Sequence, residues 1–158
     1  MGLFLSKFVN KLDKKGRVSV PASFRAALEE SGFPGIVVFP SYKFSVIEAC
    51  GMDRMERIAK SLDRLDLFSD EQDDLATTVL ADAQQLAFDP EGRITLPQDL
   101  AAHAVIADTA MFVGKGATFQ IWAPETFKVQ QAHALERARR QRPTLSLIPE
   151  DKENKDER

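Results

Sequence analysis

Two short stretches of the chain alternate apolar and polar residues with the period of a β-strand. In "GRVSV", Val18 and Val20 share one face while Arg17 and Ser19 share the other; in "GRITL", Ile94 and Leu96 oppose Arg93 and Thr95 in the same way. Both read as half-buried strands. The turns before them agree, because "DPEG" puts Asp89, Pro90 and Gly92 at the first, second and fourth positions of a type I turn, and "DKKG" keeps Asp13 and Gly16. Each is predicted to be a hairpin tip. Pro21 and Pro97 have no N–H for a ladder and suit a first helical turn, so each strand should end there and a short helix begin, in "ASFRAALEE" and "QDLAAHA".

The two stretches belong to a longer repeat. Shifting the chain by 76 residues lays Asp13, Gly16, Arg17, Val18, Val20, Pro21 and Phe24 on Asp89, Gly92, Arg93, Ile94, Leu96, Pro97 and Leu100. With one deletion, "IVVFPSYKFSVI" (Ile36 to Ile47) aligns with "MFVGKGATFQIW" (Met111 to Trp122), two apolar segments around a turn in each. Each half therefore reads strand, turn, strand, short helix, hairpin.

Helical periodicity takes over between the halves. "DRMERIAKSLDRL" lines up Met55, Ile58, Ala59, Leu62 and Leu65 on one stripe. "SDEQ" is a capping box, Ser69 with Gln72, opening a second helix expected to bury Leu75, Val79 and Leu80. A third helix is predicted after Pro124, ending in Arg137, Arg139, Arg140 and Arg142, a cluster that the helix dipole favours and that reads as a solvated end. From Pro143 on, the chain is polar and charged and is expected to be a flexible tail.

Composition narrows the class. A chain of 158 residues with 44% hydrophobic residues and eleven Phe can bury a core, as one domain or as two small repeats sharing one. Cys50 is the single cysteine, so no internal disulfide forms, and it reads as a small buried hydrophobe in a reducing compartment. "MGLFLSKF" is too short an apolar run to cross a membrane; "MGLFLS" formally matches a Gly2 myristoylation pattern, yet reads equally as the start of a strand. The net charge of −3 conceals an uneven distribution. Residues 1–25 hold six basic residues against one acidic, net +5, whereas Asp53 to Asp82 hold nine acidic against four basic, net −5.

Catalytic signatures are weak. His103 and His133 are 30 residues apart without a Cys or acidic ligand pattern nearby, there is no Gly-rich phosphate loop, and Cys50 has no evident base. Both histidines read as surface or helix-packing residues. No enzyme activity, metal or cofactor is expected.

The paired Asp-x-x-x-Arg turns, in "LDKKGRVSVPASFR" and "FDPEGRITLPQDL", together with "FQIW" late in the second half, resemble the MraZ family, two-repeat members of the SpoVT/AbrB swapped-hairpin superfamily. The resemblance spans about residues 6 to 140. It implies an α+β, mostly β fold: a pseudo-two-fold swapped-hairpin β-barrel of two SpoVT/AbrB-like repeats with inserted and C-terminal helices. The expected divisions are a first repeat at 6–52, a helical insert at 53–82, a second repeat with its C-terminal helix at 83–140, and a flexible charged tail at 143–158. The resemblance further implies a cytoplasmic, nucleoid-associated DNA-binding transcriptional regulator. Such a repressor would act on the division and cell-wall gene cluster, binding tandem promoter repeats in double-stranded DNA as a homo-oligomeric ring.

By that resemblance Asp13, Arg17, Asp89 and Arg93 face DNA. Physical chemistry sorts them. A β-hairpin fits a major groove and an Arg can take two guanine acceptors, so Arg17 is the expected base reader, with Lys11, Lys14 and Lys15 on phosphates. Asp13 is the expected turn former, orienting the Arg. Arg93 lies among Asp89 and Glu91 and reads either as a second reader or as an ion-paired strut. Pro90 and Glu91 stand where the first half has Lys14 and Lys15, so the two tips cannot grip equally. A rival reading is a protein-binding assembly module that uses the same barrel without DNA.

Overall fold

The computed structural model describes residues 2–150. It is α+β and mostly sheet, with eight strands and five helices among the described residues, most of them divided between two repeated halves. The first half runs β1 (Lys7–Lys11), β2 (Arg17–Ser19), α1 (Ala22–Ala27), β3 (Gly35–Pro40) and β4 (Ile47–Cys50). After α2 (Met52–Leu62) and α3 (Asp70–Leu75), the second half repeats the order as β5 (Gln84–Ala87), β6 (Arg93–Thr95), α4 (Gln98–His103), β7 (Thr109–Gly114) and β8 (Phe119–Trp122). Helix α5 (Pro124–Gln141) follows.

The halves exchange strands. β1 of the first half pairs antiparallel with β7 of the second, Phe8 opposite Phe112, while β5 of the second pairs with β3 of the first, Ile36 opposite Leu86. The result is a six-stranded sheet in the order β1-β7-β8-β4-β3-β5. β2 and β6 make a separate two-stranded ribbon, with Val18 opposite Ile94.

Two expectations are corrected here. Among the described residues no closed barrel forms, because β2 and β6 pair only with each other and leave β1 and β5 as sheet edges. Nor are the tips ordinary hairpins. Asp13 N–H donates to the Arg17 carbonyl at 2.9 Å and Asp89 N–H to the Arg93 carbonyl at 2.8 Å, but beyond that bond the flanking strands part into different sheets. β1 pairs instead with β7 and β5 with β3, each in the other half.

The core lies between the ribbon and one face of the six-stranded sheet. Val18, Val20, Ile94 and Leu96 come from the ribbon side, and Ile36, Val38, Ile47, Phe112, Phe119 and Ile121 from the sheet. Phe24, fully buried on α1, sits at the centre with ring centroids 5.0 Å from Phe119, 5.3 Å from Phe4 and 5.6 Å from Phe8. Burying one such ring is worth about 1.5–3 kcal/mol. The other sheet face is covered too: Val37 and Cys50 pack with Met55, Ile58 and Leu80, which explains why "IVV" in β3 is apolar without alternation.

Local signals are mostly honoured, with shifts. Pro21 and Pro97 occupy the N-cap positions of α1 and α4, one residue ahead of the first helical turn. Ser69 Oγ accepts from the Gln72 N–H at 3.1 Å and caps α3, but the helix continues as a π-helical turn at Ala76–Leu80. The wider turn buries Val79 and leaves Leu75 and Leu80 only half-buried, against the expected three.

The chain divides into two units, one through Phe127 and one from Lys128 onward. In the second, the rest of α5 is exposed apart from the half-buried Gln130, with Glu136 and Arg140 paired at 3.7 Å one turn apart. Residues 143–150 carry no helix or strand and are exposed; the remainder of the expected tail, 151–158, lies outside the described residues.

Candidate functional site

At each tip an aspartate side chain does the work of a backbone turn. Asp13 Oδ1 accepts from the N–H groups of Lys15 at 3.0 Å and Arg17 at 2.8 Å, while Oδ2 accepts from Arg17 Nε at 2.6 Å. Asp89 repeats this with Glu91 N–H and Arg93 N–H, both at 2.9 Å, and with Arg93 Nε at 2.8 Å. The glycine before each arginine has a left-handed backbone, φ +78° at Gly16 and +77° at Gly92, a region open to glycine at little cost. The spacing Asp-x-x-Gly-Arg is thus a structural requirement. It lets one carboxylate close the turn and hold the guanidinium that follows.

These bonds set the charges. Both aspartates are held below the ordinary carboxylate value, first by the backbone N–H of Arg17 on Asp13 and of Arg93 on Asp89, against an opposing desolvation. Arg93 is pushed up, first by the hydrogen bond to Asp89.

The ribbon brings the tips together. Arg17 lies opposite Thr95 and Ser19 opposite Arg93, so both arginines lie on the face turned away from the buried Val18 and Ile94. Arg93 Nη1 lies 3.9 Å from Asp13 Oδ2 of the other half, and Arg93 Nη2 lies 3.5 Å from Glu91. Every edge of Arg93 therefore faces a carboxylate. Arg17 is different: Asp13 holds its Nε, and its Nη1 and Nη2 meet no acceptor among the described residues. Asp13, Arg17, Asp89 and Arg93 form one network, Lys14 and Lys15 flank it on the exposed first tip, and Lys11 is exposed at the end of β1.

One neighbour escaped the sequence reading. Arg25 of α1 donates from Nε to the Val20 carbonyl of its own half at 3.1 Å, and its guanidinium reaches across to the second tip. Its guanidinium lies over Gly92, where an added Cβ would come within 2.5 Å of Nη1 and 2.7 Å of Cζ. The available signal was the repeat alignment, in which Arg25 falls on Ala101.

The other candidates are quiet. Cys50 is buried, and desolvation pushes its thiol up to about 12. His133 is exposed, and His103 is half-buried with a buried Nε2 that has no hydrogen-bond partner. Among the described residues no group of three or more His, Cys, Asp or Glu could hold a metal, and no helix is long and apolar enough to cross a membrane.

Fold and site together define a tandem-repeat α+β protein in which two halves trade strands and join their turns in one charged network. A family model described as "MraZ protein, putative antitoxin-like" matches residues 79–145. Among similar proteins, the Transcriptional regulator MraZ of Rickettsia bellii (strain OSU 85-389) is 47% identical over 146 residues, covering 92% of this chain and 97% of its own. That of Pelagibacter ubique is 46% identical over 143 residues, covering 90% and 92%, and that of Rickettsia canadensis 48% over 128 residues, covering 81% and 86%. The chain belongs to the MraZ family.

Proposed function

We propose that the protein is a sequence-specific DNA-binding transcriptional regulator whose first tip reads bases. The observation that carries this reading is the open Nη edge of Arg17, fixed from behind by Asp13 and flanked by exposed Lys14 and Lys15. A guanidinium anchored through Nε presents its two terminal nitrogens in a fixed plane, the geometry that takes guanine O6 and N7. The flanking lysines neutralise phosphates, with Lys11 as a further phosphate contact. Asp13 and Asp89 hold the arginines and would themselves repel phosphate; Arg93, surrounded by carboxylates, braces the ribbon. The names of the relatives, all transcriptional regulators, support the same reading.

In this reading residues 6–52 and 83–140 are SpoVT/AbrB-like repeats in a swapped-hairpin arrangement, a view supported by the reciprocal pairing of β1 with β7 and β5 with β3. Residues 53–82 are the insert and 143–158 a flexible tail. The protein acts in the cytoplasm, on the nucleoid, as a repressor of the division and cell-wall gene cluster, and assembles into a ring on tandem promoter repeats. Multivalency would answer the weakness of a single tip, raising avidity by roughly 10² to 10⁴ over one contact. It also reconciles a net charge of −3 with an anionic ligand.

The test is binding to double-stranded DNA from the protein's own upstream region, measured against salt. Lys14→Ala and Lys15→Ala should each reduce the log–log salt slope by about 0.9, the value of one neutralised phosphate. Arg17→Ala should abolish discrimination between the preferred site and its base-substituted variants, and Arg93→Ala should spare it. Full specificity in Arg17→Ala would refute the reader assignment, and salt-independent binding would favour a protein-binding module.

A further inference from the structure

We propose that Arg25 is the phosphate-binding residue of the second tip, supplied by the first half; this rests on the DNA-binding reading above. The second tip by itself is the wrong sign for DNA. Asp89, Glu91 and Arg93 sum to −1, whereas Asp13, Lys14, Lys15 and Arg17 of the first tip sum to +2. Arg25 brings the second tip to neutrality, and the repeat gives it no counterpart, since Ala101 stands at the equivalent position.

Its placement separates anchoring from function. The Nε bond to the Val20 carbonyl and the packing over Gly92 hold the stem and the guanidinium plane against the end of the ribbon. Nη1 and Nη2 remain uncommitted, with no acceptor among the described residues. A structural arginine would be expected to take a carboxylate. Here Asp89 is bound to Arg93, and Glu29, one turn along from Arg25, makes no ion pair with it.

The uncommitted fork borders an open groove of about 490 Å³ beside the tip, whose lining includes Arg25, Glu29, Phe33, Phe88, Asp89 and Pro90. An Arg fork matches the geometry of two phosphate oxygens, and with the neutral Pro90 in the position of Lys14, Arg25 is the one cation among the residues lining this groove.

The experiment uses the full chain and double-stranded DNA of its own upstream region. Arg25→Gln should lower the salt slope by about 0.9, the value of one phosphate, and weaken preferred and base-substituted sites by the same factor. Arg25→Lys, which keeps the charge, should keep most of the slope. Pro90→Lys placed in the Arg25→Gln protein should restore it. Circular dichroism and a thermal melt establish that each variant is folded.

A folded Arg25→Gln protein with the wild-type slope would overturn the proposal, as would a Pro90→Lys substitution that fails to restore a reduced slope. Should Arg25→Gln fail to fold, Pro90→Lys in the wild-type chain decides: a steeper slope supports a second tip that faces phosphate, and an unchanged one refutes it. Wild-type protein without salt-dependent binding would instead refute the DNA reading itself and the proposal with it.

Discussion

Arg93 Nη1 lies 3.9 Å from Asp13 Oδ2, joining two turns that are 76 residues apart in the chain. Through that contact the two Asp–Arg pairs become a single asymmetric network, because Arg93 faces three carboxylates and Arg17 only one. Substituting the two arginines should therefore have different consequences. Arg93→Gln is expected to lower Tm more than Arg17→Gln, and its effect should be non-additive with Asp13→Asn in a double-mutant cycle of thermal melts. Equal and additive shifts would contradict the network.

Acid should weaken the same network in a defined window. Both aspartates titrate below the ordinary value of 3.8, so the folded state binds their protons less readily than the unfolded chain. Their contribution is complete well above pH 3.8 and is lost as pH falls through the lowered values. Urea midpoints measured from about pH 5 to about pH 2 should fall more steeply for the wild-type protein than for an Asp13→Asn, Asp89→Asn variant. Parallel curves would show that the two carboxylates are not held.

The glycines of the two tips should differ although their backbones match. Alanine at Gly16 pays the left-handed strain of about 1–2 kcal/mol, its Cβ meeting nothing closer than the Leu96 carbonyl at 3.4 Å. At Gly92 the same strain is joined by a collision with Arg25 Nη1 at 2.5 Å. Chemical denaturation should rank Gly92→Ala below Gly16→Ala in stability, and Arg25→Ala should remove most of that difference.

Phe24 offers the largest single core effect. It is fully buried and touches the rings of Phe4, Phe8 and Phe119 from both halves. Phe24→Ala should cost about 3–5 kcal/mol, a large part of the roughly 5–15 kcal/mol that holds a typical domain. A loss below about 1 kcal/mol by urea unfolding would mean that the shared core is not packed as described.

Cys50 should be inert while the protein is folded. With its thiol pushed up to about 12 from 9.0, the thiolate fraction at about pH 8 falls by about 10³, and alkylation by iodoacetamide should slow at least in proportion. The raised value also sets a linkage: the unfolded chain ionises first, so stability should decline as pH climbs above 9.0. Mass spectrometry of labelled protein, with and without urea, checks the first point, and Cys50→Ala flattens the second.

Much of the local structure is legible in the chain because it depends on near neighbours. Asp13 and Gly16 close a turn through bonds that span four residues, and Val18 and Val20 face inward whatever lies opposite them. Where the chain misleads, the cause is non-local. Adjacent strands commonly pair, which predicts a hairpin at each tip, yet β1 pairs with β7 of the other half, a partner about a hundred residues away. The π-helical turn at Ala76–Leu80 likewise answers to the sheet face beneath it, which takes Leu80, and no capping rule signals it.

The sequence alone determined that there are two copies of one turn, with an Asp to close it, a Gly to permit it and an Arg to follow, and that only the first copy carries lysines. Those are short-range requirements of backbone geometry and hydrogen bonding, written into adjacent letters. The tertiary structure decided which arginine is left open, because Glu91 and the distant Asp13 close around Arg93 while Arg17 keeps its outer edge. It also delivered Arg25 to the second tip, a placement that depends on how α1 packs over a core drawn from both halves. Charge at this site is assembled across the chain, and only the folded packing brings its parts within a few ångströms.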